Sequence, residues 1–131
     1  MKKQGILNSE ISALISQLGH TDRIVICDAG LPIPDFVARI DLAIVPGLPS
    51  FFEVLNAVLI EMQVEKAIFA EELITAQPST HIYLEAALPG VELSSVSHEE
   101  FKALTKETKA IIRTGECTPF ANVILQAGVT F

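Results

Sequence analysis

The sequence predicts an α/β domain over residues 1–131, in which a largely parallel sheet of about six strands is flanked by helices. Short runs of β-branched residues alternate along the chain with segments whose apolar residues recur every three or four positions. This alternation is typical of parallel sheets, because a parallel pair needs a long crossover that a helix usually provides. A length of 131 residues suits one domain, and no repeat or linker divides it.

The first half of the chain is predicted to form two strands and two helices. Asn8 or Ser9 can cap the first helix, and Gly19 would end it as a C′ glycine. The run RIVIC predicts a buried strand, and the prolines of the following DAGLPIPD block helix and strand pairing alike. RIDLAIV predicts a second strand that PGLP ends, and residues 49–62 predict a helix with one apolar face.

The second half is predicted to contribute four more strands. KAIFA is the third, and residues 78–88 after it weakly resemble a helix. VELSSV is the fourth, after which Ser97 and Glu100 predict a capping box that opens a helix to about Thr105. KAIIRTGE predicts the fifth strand, CTPF a loop, and NVILQAG the sixth strand.

The apolar content is high for a domain of this size. Half of the residues are apolar and 19% are charged, and the chain ends in the apolar segment NVILQAGVTF. A small domain has a limited interior, so some of this apolar surface is expected to face another subunit. The composition therefore predicts a homo-oligomer.

Charge and hydropathy argue against several classes of partner. The net charge is −7 with only nine Lys and Arg, which disfavours nucleic-acid binding. No apolar run approaches the ~20 residues that span a bilayer, and no signal peptide is recognisable, so a cytoplasmic protein is expected. Cys27 and Cys117 form no CxxC motif; we interpret them as reduced thiols in apolar surroundings, with no metal or redox cofactor.

Polar side chains gather where the predicted strands end, which is where α/β proteins place their chemistry. Asp28 ends the first strand, His98 follows the fourth, Arg113 to Glu116 end the fifth, and Asn122 comes soon after. His20 lies at the other end of the first strand from Asp28. A short loop bending back, or a neighbouring subunit, could bring the two together.

Each of these residues also has a purely structural interpretation. Asp28 before Ala-Gly could form a turn, and His98 could be an exposed residue in the first turn of a helix. His20 could interact with the dipole at the end of the first helix, and Arg113 could pair with Glu116.

The chain lacks the motifs GxGxxG, GxxxxGK[ST], HExxH and GxSxG, so nucleotide, metal or acyl-enzyme chemistry is not indicated. The paired acids Glu71-Glu72 and Glu99-Glu100 are interpreted as solvated surface. What remains is a set of histidine, aspartate and asparagine side chains, joined at most by one arginine. Such a set suits a small polyhydroxylated ligand and proton transfer near neutral pH.

Four segments resemble the RbsD/FucU sugar-mutarotase family: LNSEISALISQLGHTDRIVICDAGLPIP, RIDLAIVPGLPSF, SHEEFK and IRTGECTPFANVILQAGVTF. The resemblance covers nearly the whole chain. It implies a cofactor-independent isomerase that interconverts the pyranose and furanose forms of D-ribose by acid/base-catalysed ring opening and closure. It also implies ring-shaped homo-oligomers in which adjacent subunits share the site.

The resemblance assigns His20 as the catalytic acid/base and implies no metal site. It implies that five residues bind the sugar: Asp28, His98, Phe120, Ala121 and Asn122. The sequence departs from the family at Phe120, where a tyrosine is usual. Two alternatives stay open: a non-enzymatic sugar-binding subunit of a ribose uptake system, and a mutarotase for another monosaccharide such as fucose.

Overall fold

Six strands form one sheet in the computed structural model, which describes residues 1–131. The strands are β1 (Arg23–Cys27), β2 (Ala38–Asp41), β3 (Val64–Ala70), β4 (Glu92–Val96), β5 (Ala110–Arg113) and β6 (Val123–Ala127). The helices are α1 (Ser9–Gln17), α2 (Phe51–Glu61), α3 (Glu71–Ala76), α4 (Pro78–Ala87) and α5 (His98–Thr105). No helix is both long enough and apolar enough to span a bilayer.

The sheet has the order β2-β5-β1-β6-β3-β4. β6 runs antiparallel to its neighbours β1 and β3, and the pairs β1–β5, β2–β5 and β3–β4 are parallel. Five strands therefore share one direction, which confirms the predicted α/β fold with a largely parallel sheet. Their carboxyl ends meet at one edge of the sheet, called here the carboxyl edge, and their amino ends meet at the opposite, amino edge.

Both faces of the sheet are covered, because successive side chains of a strand point to opposite faces. Ile24 and Ile26 of β1 belong to the larger core, which α1, α2 and α4 cover. Val25 of β1 belongs to a smaller core on the other face, where Phe101 of α5 and Leu31 of the loop after β1 pack. Both cores are continuous through the central strands, and this holds the strand ends in place.

The N-terminal caps differ in part from the prediction. Asn8 caps α1 by accepting a 2.9 Å hydrogen bond from Ile11 N, as predicted. Ser97 accepts from Glu100 N, but the returning bond of a capping box is missing there. The box is instead present at the start of α2, between Ser50 and Glu53.

Three further details of the prediction are wrong. Gly19 does not end α1 in the left-handed conformation; Leu18 is the extended C-cap, and the left-handed residue is Thr21, with φ 70°. The second strand stops at Asp41, and residues 44–48 turn back on themselves, with Ile44 N donating to Leu48 O. Helix α3 was not predicted, because its six residues are too few for a helical period to stand out.

Candidate active site

A cavity of about 510 Å³ opens at the carboxyl edge of the sheet. Asp28 from the end of β1 and His98 from the start of α5 line it, together with residues 116–120 from the loop before β6. The parallel strands bring these segments together, since their carboxyl ends meet at one edge. The structure thus places three of the predicted site residues, Asp28, His98 and Phe120, around one cavity.

The Asp28 carboxylate is held in a fixed orientation. Its Oδ1 accepts from Gly30 N at 2.9 Å, which is the turn-forming role considered from the sequence. Its Oδ2 accepts from the Asn122 amide at 3.0 Å, and Asp28 N donates to Asn122 Oδ1 at 2.8 Å. Asp28 therefore forms a turn and lines the cavity at the same time.

His98 is only partly exposed, contrary to its interpretation as an exposed helix residue. Its backbone N–H donates to Glu72 Oε2 at 2.9 Å, so Glu72 is not the purely solvated acid that the sequence suggested. The ring is stacked parallel to Phe101 and meets Phe120 edge to face, with centroids 5.1 Å apart. Its Nδ1 is buried and has no hydrogen-bond partner in the protein.

Phe120 has a left-handed backbone, with φ 65°. For a bulky residue this is a strained conformation, and such strain is commonest at functional sites. Ala121 and Asn122 are fully buried and do not line the cavity. The Asn122 side chain is buried behind Asp28 and holds the orientation of its carboxylate through a hydrogen bond.

Glu116, one of the polar residues that the sequence places at the end of the fifth strand, also lines the cavity. Burial alone would raise the pKa of the Glu116 carboxyl, but hydrogen bonds from the backbone and from the Thr118 hydroxyl outweigh it. The pKa lies below the ordinary value of 4.5, and Glu116 is ionised at neutral pH. The Arg113–Glu116 pair considered from the sequence is absent; Arg113 Nη1 instead donates to both carboxylate oxygens of Asp41 at 3.1 Å.

The two cysteines differ in their surroundings. Cys27 is buried in β1, and burial followed by the neighbouring Asp28 charge raises the pKa of its thiol to about 12. This thiol is therefore protonated and unreactive. Cys117 is exposed and lines the cavity, so the expectation of apolar surroundings is wrong for it.

His20 lies at the amino edge, away from this cavity. Its Nε2 is 2.9 Å from Glu65 Oε2, and no hydrogen bond joins it to the last carbonyls of α1. It lines a separate cavity of about 440 Å³ together with the C-terminal residues 127–131. Because β1 has five residues with a rise of about 3.3 Å each, His20 and Asp28 are separated by roughly 15 Å or more within one subunit.

The fold and the cavity define an α/β protein with a candidate site for a small polar ligand at the carboxyl ends of its strands. A family model described as "RbsD / FucU transport protein family" matches residues 1–130, and the chain belongs to this family. The resemblance seen in the sequence is thereby confirmed.

Curated relatives extend over the whole chain. The chain is 54% identical to D-ribose pyranase of Geobacillus thermodenitrificans, covering 100% of this chain and 99% of the relative. It is 55% identical to D-ribose pyranase of Aliivibrio fischeri (strain MJ11), covering 100% of both.

Solved structures show the same fold. Bacillus subtilis RbsD complexed with D-ribose matches with a TM-score of 0.97 and 53% identity, covering 100% of both chains. The fucose mutarotase from Streptococcus pneumoniae in complex with L-fucose matches with a TM-score of 0.73 and 22% identity over 95% of each chain.

Sequence reasoning missed Glu65 and Glu72 as partners of the predicted site residues. Glu72 comes directly after β3, so the rule that polar groups at strand ends gather at one edge could have selected it. Glu65 carries no such signal, since its contact with His20 joins residues 45 positions apart.

Proposed function

We propose that the chain, as one sugar-mutarotase domain over residues 1–131, is an isomerase that interconverts the pyranose and furanose forms of D-ribose. The reaction opens the hemiacetal ring and closes it through a different hydroxyl. One proton leaves the anomeric hydroxyl and one reaches the ring oxygen, so no cofactor is consumed. The identity with D-ribose pyranases over the full chain supports this activity.

One observation of the structure carries the site assignment. Asp28, His98 and Phe120 line the same cavity at the carboxyl edge of the sheet. Asp28 offers carboxylate oxygens to sugar hydroxyls, and Phe120 offers an aromatic surface to the sugar ring. The His98 imidazole offers a ring nitrogen that can form a hydrogen bond with a further sugar hydroxyl.

His20 supplies the acid/base group in this proposal, and it does so from a neighbouring subunit. A monosaccharide is too small to span the distance between His20 and Asp28 of one chain. In this proposal one subunit therefore supplies the amino edge with His20, and its neighbour supplies the carboxyl edge with Asp28. The proposed assembly is the ring-shaped homo-oligomer that the family resemblance implies. Exposed apolar residues support it, among them Ile44, Val45, Ile82, Tyr83 and Phe131. A cytoplasmic location also stays a prediction.

A second candidate is a sugar-binding subunit of an uptake system, in line with the word "transport" in the family description. The same cavity would serve it, because binding groups and catalytic groups overlap. The two candidates differ in one measurable property, which is the rate at which ring forms exchange.

The experiment is saturation-transfer NMR on D-ribose, with and without the protein, after exhaustive chelation. We expect faster pyranose–furanose exchange with the protein, and loss of about 10²–10⁴ of that acceleration in His20→Ala, since a positioned acid/base contributes that much. His81→Ala is the matched control, because His81 also contacts a glutamate but lines neither cavity.

Ribose binding without accelerated exchange would support the transport role instead. Faster exchange of fucose than of ribose would indicate a mutarotase whose substrate is fucose rather than ribose. Near-full activity in His20→Ala would refute the assignment of the acid/base, and His98 would be the next residue to test.

A further inference from the structure

We infer that Glu65 is the positioning residue for His20, and that His20 exchanges protons with the sugar through Nδ1. This inference rests on the proposed function, in which His20 is the acid/base. It adds a residue on β3 to the reaction and assigns the reacting nitrogen.

The tautomer follows from the chemistry of the contact. His20 Nε2 lies 2.9 Å from Glu65 Oε2, and an ionised carboxylate can only accept a hydrogen bond. Nε2 must therefore carry a proton. In the neutral imidazole only one nitrogen is protonated, so Nδ1 has the free lone pair that can receive a proton from the substrate.

The Glu65 carboxylate is itself held in place by a chain of hydrogen bonds. Its second oxygen, Oε1, accepts from Gln126 Nε2 at 2.7 Å, and Gln126 Oε1 accepts from Arg23 Nε at 2.9 Å. Arg23 and Gln126 are register partners across β1 and β6, so the sheet fixes this chain. The Gln126 bond, followed by the His20 bond, lowers the pKa of Glu65 below its ordinary value, and the group is ionised at neutral pH.

The backbone around His20 is also constrained. Thr21 is held at φ 70°, a strained conformation for a β-branched residue, while its N–H donates to Ala127 O at 2.9 Å. Asp22 closes the turn by accepting from Gly19 N at 2.9 Å. Gly128 lies so close to Glu65 that an added Cβ would be 3.1 Å from the Glu65 Cβ. Both members of the His20–Glu65 pair are thus fixed by the amino edge of the sheet.

The reaction step is balanced without a further reactant. Nδ1 takes the proton from the anomeric hydroxyl, whose O–H bond breaks as the C1 carbonyl forms and the bond from C1 to the ring oxygen breaks. The proton then passes from Nδ1 to the former ring oxygen. During this step the imidazolium donates from Nε2 to the Glu65 carboxylate, a charge-assisted hydrogen bond that stabilises it.

The inference is tested by ¹⁵N NMR of the imidazole nitrogens together with exchange kinetics, using Glu65→Ala and Glu65→Gln. In the unmodified protein, neutral His20 should be protonated at Nε2. Glu65→Ala should lower kcat about tenfold with KM within about twofold, because a charge-assisted bond to the reacting group is lost while the sugar contacts remain. Glu65→Gln should lose less than Glu65→Ala, because its amide oxygen can still accept from His20 Nε2, although it carries no charge and must serve two donors. Glu85→Gln, which removes the carboxylate beside His81, is the matched control and should leave kcat unchanged.

Two results would overturn the inference: neutral His20 protonated at Nδ1, or full kcat in a folded Glu65→Ala variant. The tautomer is measured without substrate, so it tests the role of Glu65 even if the proposed reaction is wrong. Full activity of His20→Ala would refute the assignment of His20 as the acid/base, and with it the reacting nitrogen, but would leave the measured tautomer standing.

Discussion

At the scale of single residues, the site depends on pairs that are distant in sequence. Asp28 and Asn122 are 94 positions apart, yet they exchange two hydrogen bonds across the base of the cavity. Phe120 reaches the same cavity with its ring against His98. Its ring therefore lines the cavity, at the position where the family resemblance led us to expect a tyrosine.

We expect Phe120→Tyr to tighten ribose binding about threefold to tenfold, because a net hydrogen bond is worth about 0.5–1.5 kcal/mol. The rate of ring exchange should stay within a few-fold. Titration calorimetry with ribose measures the affinity, and Phe36→Tyr, at a residue 73% exposed, is the matched control. A marked loss of affinity would mean that the ring is packed where a hydroxyl finds no partner.

At the scale of elements, one carboxylate joins the loop before β6 to the start of α2. Glu116 Oε2 accepts from Phe51 N at 3.1 Å, which satisfies one of the unpaired N–H groups at the helix N-terminus. Glu116 Oε1 accepts from the backbone and the hydroxyl of Thr118. Gly115 lets the backbone of Leu48 approach this loop, where an added Cβ would collide with it. The loop that lines the cavity is thus tied to the body of the domain.

This carboxylate predicts an acid-sensitive contribution to stability. The pKa of Glu116 in the folded protein is below 4.5, so its stabilisation is complete above that ordinary value and is lost as the pH falls through the lowered pKa. Glu116→Gln should lower Tm by about 3–6 °C at pH 7, and the difference from the unmodified protein should shrink below pH 4.5. Thermal melts followed by circular dichroism between pH 3 and pH 7 measure this, and a difference independent of pH would contradict it.

At the scale of the whole molecule, the sheet separates the two groups that the proposed reaction needs together. His20 precedes β1 and Asp28 follows it, so the strand places them at opposite edges. The amino edge carries His20, Glu65 and the C-terminal tail, and the carboxyl edge carries the cavity with Asp28 and His98. Contact between the amino edge of one subunit and the carboxyl edge of the next would complete the site.

A shared site predicts that two inactive variants complement each other. His20→Ala and Asp28→Asn, each impaired alone, should recover about a quarter of the unmodified activity after coexpression, because one site in four combines an intact half from each neighbour. Ribose exchange by NMR measures the recovery. As a control, His20→Ala coexpressed with the double variant should stay inactive, since no subunit then carries His20. No recovery in verified mixed oligomers would place both groups within one subunit.

The sequence determined the fold class and most of the elements, because these depend on local patterns. Short segments of a few residues were enough to predict the apolar run of β1, the Asn8 cap of α1 and the alternation of strands and helices. The prediction failed where local signals were weak or misleading: at the short helix α3, at the early end of β2 and at the capping box assigned to Ser97. The polar residues at the carboxyl edge were also predictable, since parallel strands bring their ends together.

Only the tertiary structure decided which side chains pair. The order of the strands places β6 between β1 and β3. As a result, Gln126 of β6 contacts both Arg23 of β1 and Glu65 of β3. The same order places the turn before β1 close to the start of β3. The contacts of His20 with Glu65 and of His98 with Glu72 span 45 and 26 positions and depend on that order and register. A local pattern specifies that a segment is a strand, but not which strand lies beside it, because pairing depends on how the whole chain buries both faces of the sheet.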